Sequence, residues 1–161
     1  MRVLHLDDDD LRHELFMEWH AHAGDTSVAV HDLDEFAAAI NRERFDIVYL
    51  DHDLNDFQYT SGFADMYGWK QQNGVDAATL LATLPEDQRP ATVVIHSWNP
   101  EGAKRMARVL EEAGFENVII EEFPQESYFE RLVKWKQENK NHIYLDFCDP
   151  EKKLEQFRTG R

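Results

Sequence analysis

The sequence predicts an α/β domain, a parallel sheet with helices on both of its faces. Three short apolar runs support this prediction, because each ends abruptly in acids, histidines or a hydroxyl residue. These runs are Arg2–Leu6, the strand part of Ile47–Leu54, and Ala91–Ile95. They alternate with amphipathic segments, as strands and helices do around a parallel sheet. Ligands bind at the carboxyl ends of strands in open α/β sheets, so we expect a site where these runs end.

The composition limits the possible functions. A chain of 161 residues is long enough for one domain with a proper core. Its formal net charge of −15 repels phosphate backbones, so extended nucleic-acid binding by the chain alone is not expected, whereas a small phosphate ligand reached through a divalent cation is compatible. The single Cys148 excludes an internal disulfide and suits a reducing compartment. We expect no signal peptide and no membrane anchor, and therefore a cytoplasmic location.

The first half of the chain reads as strand, helix, strand, helix and strand. The predicted elements before the central strand are Arg2–Leu6, Leu11–His22, Ser27–Val30 and Glu35–Arg44. Asp10 is predicted to cap the first helix and Gly24 to end it. Asp32 or Asp34 is predicted to cap the second helix. The inward face of the first helix is predicted from apolar residues three or four positions apart, namely Leu11, Leu15, Phe16 and Trp19.

An aromatic-rich insertion, Asn55–Asn73, follows the central strand. It contains Phe57, Tyr59, Phe63, Tyr67 and Trp69. Loops of this length in a compact domain are usually functional or disordered, and five aromatic residues favour an ordered flap. The alternative is that these rings only cover a sheet edge. A lid role for Tyr59 or Trp69 is a hypothesis.

The second half continues the alternation. The predicted elements are the helix Val75–Leu84, the strand Ala91–Ile95, the helix Glu101–Ala113, the strand Asn117–Ile120 and a last helix from Gln125 or Glu126. Pro100 is expected in the first turn of its helix, and Gly114 at its end. In the tail, His142–Phe147 is predicted as an edge strand and Pro150–Phe157 as a short helix.

Five β-α units, an acidic cluster after the first strand, Asp51 after the third and Ser97 after the fourth resemble the receiver domain of two-component response regulators. The resemblance implies a three-layer, flavodoxin-like domain with strand order 2-1-3-4-5 over residues 1–135, with the insertion 55–73. A C-terminal extension, 136–161, would pack on the same domain. By position, Asp7, Asp8 and Asp51 would hold Mg²⁺ and Asp51 would accept a phosphoryl group. Receivers also carry a lysine at the end of strand five, where this chain has Glu121-Glu122-Phe123-Pro124.

Further residues resemble a divergent receiver branch, the cyclic-phosphate processing receiver domains of bacterial and phage proteins. They are Asp51-His52-Asp53, His96-Ser97-Trp98-Asn99 followed by Pro-x-Gly-Ala, and Leu6-Asp7-Asp8-Asp9 with Arg12. This resemblance implies Mg²⁺-dependent ring opening of cyclic phosphates, such as 2′,3′-cyclic phosphate ends of RNA or cyclic nucleotides. The corresponding partner is a small phosphate ligand or an RNA 3′ end.

The residue types at the predicted site fit that chemistry. Converging carboxylates are unfavourable unless a cation neutralises them, and Mg²⁺ binds carboxylates and phosphate oxygens together. Opening a cyclic phosphodiester needs an activated nucleophile and a proton for the departing ribose oxygen, and His52 and His96 are predicted as acid and base in either order. Asp53, Ser97 and Asn99 are predicted to contact the substrate.

Several of these residues also have plainer interpretations. Asp9 and Asp10 are expected to cap the first helix rather than bind metal. The other histidines are expected to be surface or core residues: His5, His13, His20, His22, His31 and His142. Two alternative functions stay open, a signalling module phosphorylated at Asp51 and a non-catalytic domain that binds a protein partner.

Overall fold

The computed structural model describes residues 1–54, 73–122, 124–138 and 150–160. The chain divides into two compact units, Met1–Phe123 and Pro124–Arg161. The predicted strand His142–Phe147 and the insertion up to residue 72, with Tyr59 and Trp69, lie outside the described residues. None of the described helices is long and apolar enough to cross a membrane.

Five parallel strands form the sheet of the first unit. They are β1 (Arg2–Leu6), β2 (Thr26–Val30), β3 (Ile47–Leu50), β4 (Thr92–Ile95) and β5 (Val118–Ile120). Their order is β2-β1-β3-β4-β5, which confirms the predicted order. The register places Leu6 beside Leu50, and Leu50 beside Ile95. The three central strands therefore end at the same level of the sheet.

The helices of this unit are α1 (Asp10–Ala23), α2 (Leu33–Arg42), α3 (Gly74–Ala82) and α4 (Pro100–Glu112), with a 3₁₀ turn at Glu86–Gln88. The main core lies between the sheet and the row formed by α2, α3 and α4, and Phe36, Leu81, Met106 and Leu110 are fully buried there. Met106 and Leu110 thus anchor α4 to the core. Phe16 of α1 packs instead on the rings of His5 and Tyr49, which belong to β1 and β3.

Helix ends account for most differences from the predicted boundaries. Asp9, not Asp10, caps α1, because its carboxylate accepts hydrogen bonds from the backbone N–H groups of Leu11 and Arg12. Asp32 caps α2, which therefore begins at Leu33, two residues earlier than predicted. Gly24 ends α1 in the left-handed conformation, as expected. Trp19 was predicted to face inward, but it is 40% exposed, since Arg12 and His13 take buried positions of α1.

Gly74 lets α3 start directly against the end of β3. A Cβ atom at this position would lie 2.2 Å from the backbone oxygen of Asp51 and 2.7 Å from Cα of His52. Because backbone atoms cannot turn aside, we expect Gly74→Ala to lower the free energy of unfolding by about 3 kcal/mol or more. Gly24→Ala is the control. It has no atom within 4 Å and a φ of 76°, so it is expected to cost only about 1 kcal/mol. Equal losses in denaturant titrations would contradict the close-approach argument.

The second unit contains α5 (Gln125–Glu138) and α6 (Pro150–Thr159), and α5 begins where the sequence predicts. Among its described residues, the buried apolar side chains include those of Tyr128, Phe129, Leu132 and Leu154. Arg158 of α6 forms ion pairs with Glu126 and Glu130 of α5. Exposed ion pairs thus link the two helices.

Candidate functional site

Three buried polar residues follow the ends of the central strands. Asp7, Asp51 and His96 come directly after β1, β3 and β4, and they are 0%, 2% and 3% exposed. Backbone hydrogen bonds hold two of them at the sheet edge, from the N–H of Asp51 to the carbonyl of Leu6 and from the N–H of His96 to the carbonyl of Leu50. Polar side chains thus converge where the sequence predicts, at the carboxyl edge of the sheet.

Asp7, Asp8 and Asp51 form an acidic cluster whose carboxylate oxygens lie within 4.8 Å of one another. The buried guanidinium of Arg12 lies among them. Its nitrogens are 3.1 Å from Asp7 Oδ1, 3.6 Å from Asp8 Oδ1 and 3.4 Å from Asp51 Oδ2. The ring of Trp98 lies 5.4 Å from the guanidinium carbon. The protein therefore supplies a fixed cation to the cluster that the sequence analysis assigned to Mg²⁺ alone.

The cluster nevertheless fits a divalent metal ion. Three carboxylates and one guanidinium leave a net charge of −2 when all are ionised. Among the described residues, Asp7 Oδ2 and Asp51 Oδ2 are buried oxygens without a hydrogen-bond partner. Burial raises the pKa of Asp51 to about 7 and raises the pKa of Asp7 well above its ordinary value. Buried, poorly solvated carboxylates of this kind are suited to an added cation.

The raised pKa of Asp51 makes a prediction about stability in metal-free buffer. The folded state binds a proton at the Asp51 carboxylate more tightly than the unfolded chain does. The contribution of Asp51 to the free energy of unfolding therefore falls as the pH rises from about 4 to about 7. Asn does not titrate, so Asp51→Asn does not suffer this loss. As the pH rises from 4 to 8, we expect the free energy of unfolding of the variant to increase by up to roughly 4 kcal/mol relative to that of the wild type. Urea titrations of both proteins in EDTA measure the difference. A difference that stays constant with pH would contradict the prediction.

His52 belongs to a second group of polar residues, next to the start of α4. Its Nδ1 lies 2.7 Å from Asp53 Oδ1 and 3.4 Å from the amide nitrogen of Asn99. The imidazole ring packs against Gly102, where a Cβ would lie 2.3 Å from the ring. Since Asp53 accepts the Nδ1 proton, Nε2 is left as the ring nitrogen for proton exchange with a ligand. The side chain is 13% exposed, so solvent reaches it.

Ser97 and Asn99 shape the loop between β4 and α4. The Ser97 hydroxyl oxygen accepts a hydrogen bond from the N–H of Asn99, and the Asn99 side-chain oxygen accepts one from the N–H of Gly102. Asn99 is thus the cap of α4, and its amide nitrogen is turned toward His52. The two side chains keep donor groups for a ligand, while their oxygens are used within the loop.

His96 does not lie beside His52 but packs with Asp7 and His5. Its Nδ1 is 3.7 Å from Asp7 Oδ2, and its ring centre is 4.6 Å from that of His5. Burial lowers the pKa of His96 to about 3, so the imidazole is neutral at pH 7. His5 and His13, which the sequence analysis treated as ordinary surface or core residues, are buried in the same group. The sequence feature that could have assigned them to the site is their position, His5 near the end of β1 and His13 on the inward side of α1.

Comparison with known proteins agrees with this architecture. The model of the cyclic-phosphate processing receiver domain family matches residues 3–112. No curated protein matches the chain in sequence. Among solved structures, a response regulator receiver domain from Methylobacillus flagellatus is 16% identical, with a TM-score of 0.55, over 84% of this chain and 97% of that one.

Two further solved structures show the same fold and contain ions. One is a response regulator from Burkholderia pseudomallei with a phosphorylated aspartic acid and a calcium ion, 16% identical with a TM-score of 0.53, over 89% of this chain and 76% of that one. The other is the receiver domain of a sensor histidine kinase from Pseudomonas aeruginosa, with a magnesium ion in its active-site cleft. It is 14% identical with a TM-score of 0.53, over 86% of this chain and 94% of that one. With the family match covering most of the receiver-like sheet, the chain belongs to the cyclic-phosphate processing receiver domain family.

Proposed function

We propose that this protein opens cyclic phosphodiesters by Mg²⁺-dependent hydrolysis, acting on a 2′,3′-cyclic phosphate end of RNA or on a cyclic nucleotide. The observation that supports the proposal most is the pairing of His52 with Asp53 beside a buried acidic cluster. A carboxylate that holds one imidazole nitrogen prepares the other nitrogen for proton transfer. The neighbouring cluster supplies what a phosphate ligand needs, a place for a divalent cation.

In the proposed reaction, water adds to phosphorus and one bond from phosphorus to a ribose oxygen breaks. A proton leaves the water and a proton reaches the departing oxygen, so the product is a monophosphate with a new hydroxyl group. His52 is the group proposed to deliver the proton, because the Asp53 carboxylate holds its Nδ1 atom and leaves Nε2 to exchange a proton with the substrate. His96 is neutral, and its role in the proposal is to offer a lone pair rather than a proton.

Asp7, Asp8 and Asp51 are the residues proposed to hold Mg²⁺. A bound Mg²⁺ would offset negative charge on the phosphate oxygens. Arg12 shares this cluster and is proposed to attract the phosphate group to it. The donor groups of Ser97, Asn99 and the first turn of α4 are proposed to orient the phosphate oxygens, with Asp53 positioning His52 at the substrate.

The net charge restricts the proposed substrates. At −15, the chain is expected to bind a small cyclic nucleotide or a short RNA end rather than a long RNA, unless a protein partner holds the RNA. A cytoplasmic location stays part of the proposal, since the single cysteine suits a reducing compartment.

A phosphoryl-acceptor switch at Asp51 is the second candidate. It is favoured by the position of Asp51 after β3 and by its Oδ2 atom, which has no hydrogen-bond partner among the described residues. Glu121 and Glu122 follow β5 where a receiver has its lysine, which counts against this candidate. A non-catalytic domain that binds a protein partner would need neither metal nor turnover.

Chromatographic assays of a panel of 2′,3′-cyclic and 3′,5′-cyclic nucleotides test the proposal. We expect conversion to monophosphates in millimolar Mg²⁺ and its loss in excess EDTA, because the acidic cluster is expected to need a second cation beside Arg12. Intact-mass measurement after treatment with a small phosphodonor tests the second candidate. A stable phosphoryl adduct that Asp51→Asn abolishes, without turnover of any cyclic substrate, would replace the hydrolase proposal with the switch.

A further inference from the structure

A compact, buried group of possible metal ligands shares Asp7 with the acidic cluster. His5, Asp7 and His96 each offer one ligand atom, these atoms lie within 4.8 Å of one another, and all three residues are buried. Asp7 Oδ2 is 3.7 Å from His5 Nε2 and 3.7 Å from His96 Nδ1. The same oxygen has no hydrogen-bond partner among the described residues. The other oxygen of Asp7 faces Arg12 and the N–H of Asp9.

The hydrogen bonds of His13 determine which nitrogen of His5 carries a proton. His13 Nε2 lies 2.7 Å from the backbone carbonyl of Asp7, which can only accept, so this nitrogen is the donor. Both rings are buried, and burial of an imidazole favours its neutral form. His13 Nδ1 is therefore an acceptor, and His5 Nδ1, 2.9 Å away, donates to it. The proton of His5 is on Nδ1, and His5 Nε2 directs a lone pair toward Asp7 Oδ2.

Two electron-rich atoms that face each other inside a protein repel unless a proton or a metal cation neutralises one of them. A shared proton does not bridge them here, because 3.7 Å is too long for a hydrogen bond. A metal ion does fit. In a tetrahedral zinc site the ligand atoms lie roughly 3.4 Å apart, so each of the two 3.7 Å separations from Asp7 Oδ2 needs to contract by only a few tenths of an ångström.

We propose that His5 Nε2, Asp7 Oδ2 and His96 Nδ1 bind one divalent transition-metal ion of the zinc class, and that His13 positions His5 for this role. Two imidazoles and one carboxylate favour such ions over Mg²⁺, which prefers oxygen ligands. A hydrogen bond from the second nitrogen of a metal-binding histidine to an acceptor is a common feature of zinc sites, and His13 provides that acceptor. Three protein ligands leave a fourth position for water or a substrate oxygen.

This inference goes beyond the proposed hydrolysis and does not depend on it, because metal binding is measured without a substrate. The probes are Zn²⁺ and Co²⁺ alone, added to the full chain after removal of metal. Zn²⁺ affinity and stoichiometry follow from competition with a chromophoric chelator, and Co²⁺ reports its coordination through visible absorption. We expect one tight equivalent of Zn²⁺ and a Co²⁺ spectrum typical of four or five ligands that include imidazole.

Variants assign the ligands. His13→Leu removes the hydrogen-bond partner of a ligand, a change that weakens metal affinity by about 10- to 100-fold. His5→Leu and His96→Leu each remove a ligand, and each is expected to weaken Zn²⁺ binding by at least about 100-fold. His22→Ala, an exposed histidine of α1, is the control and should bind Zn²⁺ like the wild type. Circular dichroism establishes that each variant is folded.

Three results would overturn the proposal. The first is a wild-type chain that binds no tight Zn²⁺. The second is unchanged Zn²⁺ binding in folded His5→Leu and His96→Leu. The third is loss of Zn²⁺ binding in Asp51→Asn, because Asp51 belongs to the acidic cluster and not to the histidine group. In each of these cases hydrolysis in Mg²⁺ is measured separately, so the proposed function stands or falls by its own assay.

Discussion

Replacing Arg12 with methionine is expected to lower the free energy of unfolding by about 3–5 kcal/mol at pH 7.5 in metal-free buffer, because the change leaves buried carboxylates without their cation. Asp7 and Asp51 are almost fully buried, and the guanidinium is the cationic side chain that the described structure places against both. The loss is expected to shrink at pH 4.5, where protonation of these carboxylates removes the repulsion. Urea titrations at the two pH values measure it.

Arg89→Met is the matched control for this prediction. Arg89 is half-buried, whereas Arg12 is buried. Arg89 donates to the backbone carbonyls of Leu84 and Ala113, and its guanidinium carbon lies 4.9 Å from the ring centre of Phe115. Its loss is expected to cost about 1–2 kcal/mol at both pH values. Mg²⁺ should restore part of the stability of Arg12→Met and none of that of Arg89→Met. A penalty for Arg12→Met that is independent of pH and of Mg²⁺ would contradict the electrostatic role of Arg12.

His52→Ala is expected to reduce the turnover of a cyclic nucleotide by at least about 100-fold, since general acid–base catalysis contributes about 10²- to 10⁴-fold. The protein is expected to stay folded, because the His52 side chain lies at the solvent-accessible edge of the sheet. Asp53→Asn should have a smaller effect in the same direction, because it weakens the hydrogen bond that fixes the Nδ1 proton. Steady-state assays in Mg²⁺ measure both effects.

His22→Ala is the control for the loss of an imidazole, since His22 is exposed near the end of α1 and contacts the carbonyl of Glu18. Its turnover should equal that of the wild type. Wild-type turnover in His52→Ala, or an equal loss in His22→Ala, would remove His52 from the proposed chemistry.

The sheet was predictable from the sequence because buried parallel strands are short apolar runs, and those of β1, β3 and β4 are each followed by a sharp change to polar residues. The same change marked Asp7, Asp51 and His96. Helix starts were less predictable, because consecutive acids offer several possible caps. Of Asp8, Asp9 and Asp10, Asp9 is the one whose carboxylate reaches two N–H groups of the first turn.

The charge balance of the site was not predictable in the same way. Apolar spacing placed Leu15 and Phe16 inside, but it gave no reason to bury Arg12 and His13 rather than Trp19. Those two positions are buried because the start of α1 lies over the ends of β1 and β3. There the Arg12 guanidinium forms ion pairs with carboxylates, and the His13 imidazole hydrogen-bonds to a backbone carbonyl. Contacts between distant segments decide which residues are buried at such positions. The spacing of apolar residues within one helix carries no information about these contacts.

Phosphorus NMR in ¹⁸O-enriched water tests the proposed ring opening most directly. The wild-type protein is mixed with Mg²⁺ and a 2′,3′-cyclic nucleotide, and the product spectrum is recorded. Hydrolysis at phosphorus predicts one monophosphate isomer that carries a single ¹⁸O atom, with its signal shifted accordingly, and no such product with His52→Ala. An unchanged cyclic phosphate in the wild-type sample, across cyclic nucleotides and short cyclic-ended RNAs, would contradict the proposal.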